Sequence, residues 1–205
     1  MDERALSRRA LWLSYFTVGY NLLEGAASVA AGAVAGSVAL VGFGLDSFVE
    51  SLSGGVMIWR FRGRHADARE PATERRERRA LTLVGYTFFV LGAYVLFEAA
   101  RKLLTGERPE PSVPGIAILL LSLVVMPLLF FAKRRTARRL ESRSLEADSK
   151  QTLACVGMSA GVLLGLVLNQ AFGFWQADPV IAIAIALLLF KEGREAVAEG
   201  KVCSC

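Results

Sequence analysis

At 205 residues, with 54% of them hydrophobic and a mean hydropathy of +0.43, the chain is too apolar for an ordinary soluble domain and too short for a second sizeable core. Its net charge of +5 would suit a nucleic-acid binder. However, the arginines flank long apolar runs, with neither an aromatic-and-basic platform nor zinc-finger spacing beside them, so membrane orientation accounts for them and nucleic acid is excluded as a partner.

A helix crossing hydrocarbon needs about 20 mostly apolar residues. Six stretches qualify: Leu11–Ala31, Ser37–Trp59, Ala80–Leu104, Val113–Ala132, Gln151–Ala171 and Ala177–Ala196. The first follows Arg4, Arg8 and Arg9, as the core of a signal peptide would, and Ala26-Ala27-Ser28 mimics a cleavage site. Asn21 and Glu24 interrupt that core, so an uncleaved span is expected. Gly32–Gly36 joins spans one and two, and Phe172-Gly173-Phe174-Trp175 joins five and six. Links this short force antiparallel neighbours. Pro109, Pro111 and Pro114 punctuate the third link, and Pro127 is expected to kink span four. The whole of 1–205 is read as one all-α integral membrane domain, with a short tail at 197–205.

Positive charge sets the orientation. Arg60, Arg62, Arg64, Arg69, Arg75, Arg76, Arg78 and Arg79 crowd the link between spans two and three. Lys133, Arg134, Arg135, Arg138, Arg139, Arg143 and Lys150 crowd the link between four and five, while the other side carries little beyond Arg108. Positive residues stay in the cytoplasm, so both termini are expected there and the protein in the cell membrane. His65 lies in one of these links and reads as a solvated loop residue. With the lone histidine there and no serine or threonine beside an obvious base, the sequence speaks against an enzyme.

Ionisable groups inside the spans carry the functional information, because burying them is costly and they mark pathways and sites. Asp46 and Glu50 lie four apart near the middle of span two, on one helix face. Two such carboxylates coexist in lipid only with a cation between them or a proton on one. The competing reading makes Asp46 a bundle hydrogen-bonding residue and Glu50 the lining of a water pocket. Span one adds Asn21 and Glu24 on a common face; Glu24 is read equally as a ligand, a proton relay or a helix–helix hydrogen-bonding residue. Asp148, Gln151 and Cys155 share a face at the start of span five. Beyond them Gly157, Gly161 and Gly165 repeat every four residues, which predicts a close-packing seam. Cys155 is open to two readings, ligand or small packing residue. Cys203 and Cys205 form no disulfide framework with it and are a candidate thiolate pair for metal capture.

These features together resemble the membrane domain of the cation diffusion facilitator family. Gly36-Ser37-Val38-Ala39-Leu40 with Leu45-Asp46-Ser47-Phe48-Val49-Glu50 is similar to its span-two signature, Ala147-Asp148 to the start of its span-five motif, and Ala177-Asp178-Pro179 to the opening of its last span. The resemblance covers nearly the whole chain, in order. It implies a six-helix cation-efflux-type bundle with cytoplasmic termini, and a metal site made by one pair of residues on span two and one on span five. In this alignment the family's span-five histidine and aspartate fall on Gln151 and Cys155. A thiolate favours zinc-like ions, whereas carboxylate and amide oxygens favour harder ones such as manganese.

The function implied is export of a divalent transition metal, zinc first and iron, cobalt or manganese next, by proton antiport, with no permanently bound cofactor. A homodimer is implied too, formed within the membrane because only a short tail follows span six. The alternative is a non-transporting membrane metal sensor or scaffold.

Overall fold

The computed structural model describes residues 3–62, 71–110 and 112–199. Six helices and no strand occur among them: α1 (Glu3–Ala35), α2 (Val38–Arg62), α3 (Pro71–Thr105), α4 (Val113–Leu140), α5 (Arg143–Phe172) and α6 (Ala177–Glu199). Each expected span lies inside one helix, except that Ser37 caps α2 from just outside it, and the helices run on past the apolar stretches. The largest overrun is at the link between α4 and α5. The stretch read as a charged loop is almost wholly helical, and only Glu141 and Ser142 separate the two helices. Ser142 caps α5 by accepting from the Leu145 N–H, and Glu141 takes the left-handed conformation. The extended turns bury Ala10, Ala137 and Leu145 in a small second core. Helix α4 passes through Pro127 without a break.

The bundle buries polar side chains beside apolar ones and turns many large apolar side chains outward. Along α1, Ser14, Thr17, Asn21, Glu24 and Ser28 recur at spacings of three and four, and all are buried. Trp12, Phe16, Leu23 and Val34 on the same helix are exposed, as are Val124, Leu128 and Phe131 on α4. A water-soluble fold buries such side chains; lipid is the solvent that favours this distribution. By length and composition, Val113–Leu140 and the Asp148–Phe172 part of α5 are apolar enough to cross a membrane, with mean hydropathies of 2.7 and 1.9. Helices α1 and α2 dilute theirs with Asn21, Glu24, Asp46 and Glu50.

Helix α2 is the hub, packing against α1, α3, α5 and α6, while α3 pairs with α6 and α4 with both α5 and α1. Glycine sets the closest crossing. A Cβ on Gly44 would lie 2.8 Å from the Gly25 carbonyl oxygen, and one on Gly25 would lie 2.9 Å from that of Gly44. Thus α1 and α2 touch backbone to backbone. The seam expected on α5 is shorter than its repeat. A Cβ on Gly165 would meet Ile181 at 2.6 Å, on Gly161 only at 4.0 Å, and on Gly157 nothing. The four-residue repeat drifts around a helix of 3.6 residues per turn, which carries Gly157 off the contact line.

The N-terminal end of α2 is held. Gly36, at φ +63°, turns the chain out of α1, and Ser37 accepts from the Leu40 N–H as a helix cap. Asp178 at the start of α6 completes the cap: it accepts from the Val38 N–H at 3.0 Å and from the Ser37 hydroxyl. This carboxylate sits on the positive end of the α2 dipole.

Candidate metal centre

Asp46 and Glu50 project from the middle of α2 into the bundle, 6% and 0% exposed, toward α5. Across from them stands Cys155, itself fully buried. Its thiol lies 2.9 Å from Glu50 Oε2 and 3.4 Å from Asp46 Oδ2, so one S–H faces two carboxylates. Three potential ion donors from two helices thereby meet at one point. Their surroundings are apolar: Phe43, Val49, Leu119, Val162 and Ile185 belong to the same buried cluster as Cys155. Displacing water from such a place strengthens every charge interaction in it.

Beside this point lies a chain of hydrogen bonds that sequence reasoning missed. Thr152, one turn before Cys155 on α5, donates to Glu50 Oε1 at 2.9 Å. Its oxygen accepts from Lys133 Nζ at 2.9 Å. Lys133 also lies 2.9 Å from Asp148 Oδ2, an ion pair by distance whose angle falls outside hydrogen-bonding range. Both side chains of this pair are essentially inaccessible. Lys133 is therefore not the solvated link residue expected from its place at the head of a basic block. The signal that would have found it is periodicity: Ser122, Met126, Leu129, Lys133 and Thr136 repeat at spacings of three and four on the buried face of α4.

The remaining candidates divide. Glu24 on α1 does not touch the thiol cluster. It accepts from Ser47 at 3.2 Å and from Tyr20 at 3.0 Å, so it stands beside the cluster, next to α2. Asp148 is engaged by Lys133. Gln151 is buried, and its Oε1 has no hydrogen-bond partner among the described residues. Asn21 is buried, and neither amide atom has a hydrogen-bond partner among the described residues. The Ser122 and Ser159 hydroxyls bond to each other at 2.9 Å across α4 and α5. Cys203 and Cys205 lie outside the described residues. Among the described residues, no group of three or more His, Cys, Asp and Glu side chains is placed so that it could hold a metal ion. Asp46, Glu50 and Cys155 meet through the thiol, which lies within hydrogen-bonding reach of both acids.

A model of the cation efflux transmembrane domain matches residues 15–201, which include every residue of this cluster. The chain belongs to the cation efflux family. Among its relatives, transmembrane protein 163 of Xenopus laevis is 25% identical over 187 residues, covering 91% of this chain and 65% of that protein. An uncharacterized transporter of Synechocystis sp. is 26% identical over 196 residues, covering 94% of this chain and 63% of that protein. The cation-efflux pump FieF of Shewanella oneidensis is 30% identical over 108 residues, covering 52% of this chain and 36% of the pump. The chain thus spans just under two thirds of the length of the first two relatives.

Proposed function

We propose that this cation efflux protein carries a divalent transition metal, zinc foremost, through the bundle at Asp46, Glu50 and Cys155. The observation that carries the reading is the buried thiol of α5 lying between two buried carboxylates of α2. Two carboxylates and a thiolate suit a borderline ion and supply three of the four donors that zinc usually takes. Loading the ion releases the thiol proton together with any proton held on the two acids, and the return of the same protons to those groups expels it, so metal and protons exchange at one place. Alternating access follows from the two-helix construction: a shift of α5 against α2 separates Cys155 from both acids.

The basic clusters support cytoplasmic termini, and membership of a cation efflux family supports export across the cell membrane as the direction. The family resemblance supports a homodimer. The test is zinc flux into proteoliposomes with an imposed pH gradient. Uptake that follows the gradient in the wild type, and is lost in Asp46→Asn, is the expected result. Saturable zinc binding without flux would instead make the protein a membrane metal sensor.

A further inference from the structure

Lys133 is a fully buried cation on the flank of the ion site. A lone ammonium in an apolar bundle is prohibitively costly, and Lys133 is compensated by Asp148, equally buried, at 2.9 Å. What lifts the pair above an internal brace is the hydroxyl beside it. Thr152 has one proton, and Lys133 occupies its oxygen as an acceptor, which directs that proton toward Glu50 Oε1 or the Asp148 carbonyl at 3.2 Å. Glu50 Oε2 is turned toward Cys155. Each Glu50 oxygen thus has its own fixed donor, and the one on the Lys133 side is set through Thr152.

We propose that Lys133 is a positioning residue of the ion site, working with Asp148: it fixes the Glu50 carboxylate through Thr152 and withholds Asp148 from the ion. The inference rests on the ion-site reading above. It makes Asp148 a counter-ion rather than a ligand, and leaves the site with Asp46, Glu50 and Cys155. The pair also sets the local charge that an arriving divalent ion meets. Removing the lysine leaves an uncompensated carboxylate near the site, while removing the carboxylate leaves an uncompensated ammonium.

The two halves of the pair therefore have opposite effects on cation affinity, which a brace would not. The experiment titrates purified full-length protein with Cd²⁺ and follows the thiolate-to-metal charge-transfer absorption, in a Cys203→Ser, Cys205→Ser background so that Cys155 alone reports. Lys133→Met is expected to tighten Cd²⁺ binding by about tenfold or more and Asp148→Asn to weaken it by a similar factor. Lys133→Arg should stay near wild type, whereas the double variant, balanced in charge but without the hold on Thr152, should weaken binding about as much as Thr152→Val.

Either single variant strands a buried charge and can fail to fold. Thr152→Val avoids this, because it cuts the link to Glu50 and leaves the ion pair whole. It should weaken Cd²⁺ binding about tenfold, with Thr152→Ser restoring it. Absence of any Cd²⁺ signal in the parent protein would overturn the ion-site reading, and this inference with it. A parent signal accompanied by unchanged affinity in Thr152→Val, or by shifts of the same sign in both charge variants, would overturn this inference alone.

Discussion

The bundle buries carboxylates at two places on α2, and they are bound in different ways. At the N-terminal end, Asp178 is held by a backbone N–H and by the serine that caps the helix. A backbone amide keeps its proton and its place, so this carboxylate is committed to joining α6 to α2. In the middle of the helix, Asp46 and Glu50 are held by a thiol and a threonine hydroxyl, both side chains on another helix. These partners are side chains rather than backbone, and in the proposed mechanism one of them gives up its proton to a metal. Burial and acidity are common to both places. Exchangeability of the partners separates a structural carboxylate from one able to take and release an ion.

Four substitutions test that contrast in order of effect. Glu50→Gln or Asp46→Asn should reduce zinc flux in proteoliposomes to the level of empty vesicles while the detergent-solubilised protein keeps its melting temperature. Transport at the wild-type rate would show that the mid-helix acids are as structural as Asp178. Asp178→Ala should do the reverse. It strips the α2 N-terminus of a charged cap at a cost of about 1–3 kcal/mol, read as a lower melting temperature, with metal affinity kept in the folded fraction. Smaller still is Cys155→Ser, which keeps a proton donor between the two acids and exchanges a soft ligand for a hard one. It should lower preference for zinc over manganese by about tenfold in competition binding, with stability nearly unchanged.

Much of this was legible in the sequence. The six helices follow from apolar length, and Asp46 with Glu50 stands out because lipid makes mid-span acids expensive. The family signature covering Ala177-Asp178-Pro179 marked Asp178 without revealing its role, since its partners, Ser37 and Val38, lie some 140 positions away. Lys133 was misread for a physical reason. Adjacent arginines at 134, 135, 138 and 139 made it look like part of a topological block, yet position on a helix decides exposure and only Lys133 of these five faces inward. Thr152 carried no signal either, because a neutral hydroxyl in a membrane helix is usually satisfied by its own backbone. Alignment drew attention to Gln151, one residue away and about 100° around the helix. The closest helix crossing was also overlooked: Gly25 and Gly44 belong to different helices and form no repeat that a single stretch would display.

Gln151 offers the last and smallest test, and its sign is informative. The resemblance puts it where a histidine ligand would stand, but its Oε1 is buried without a hydrogen-bond partner while Thr152 and Cys155 make the contacts with α2. An unpaired buried amide destabilises the fold, so replacing it with a side chain of similar volume removes a penalty rather than a contact. Gln151→Leu should therefore leave the melting temperature unchanged or raise it by a few degrees. If the oxygen stays apart from the ion, zinc affinity will move by less than about twofold, within the scatter for a residue outside the ligand set. A loss of about tenfold or more would mean that the amide swings into the site once the metal arrives, as the fourth donor that zinc requires. That result would turn the orphaned oxygen from a packing imperfection into a ligand in waiting. It would also place Gln151 with Asp46 and Glu50 rather than with Asp178, on the exchangeable side of the divide between the two carboxylate sites.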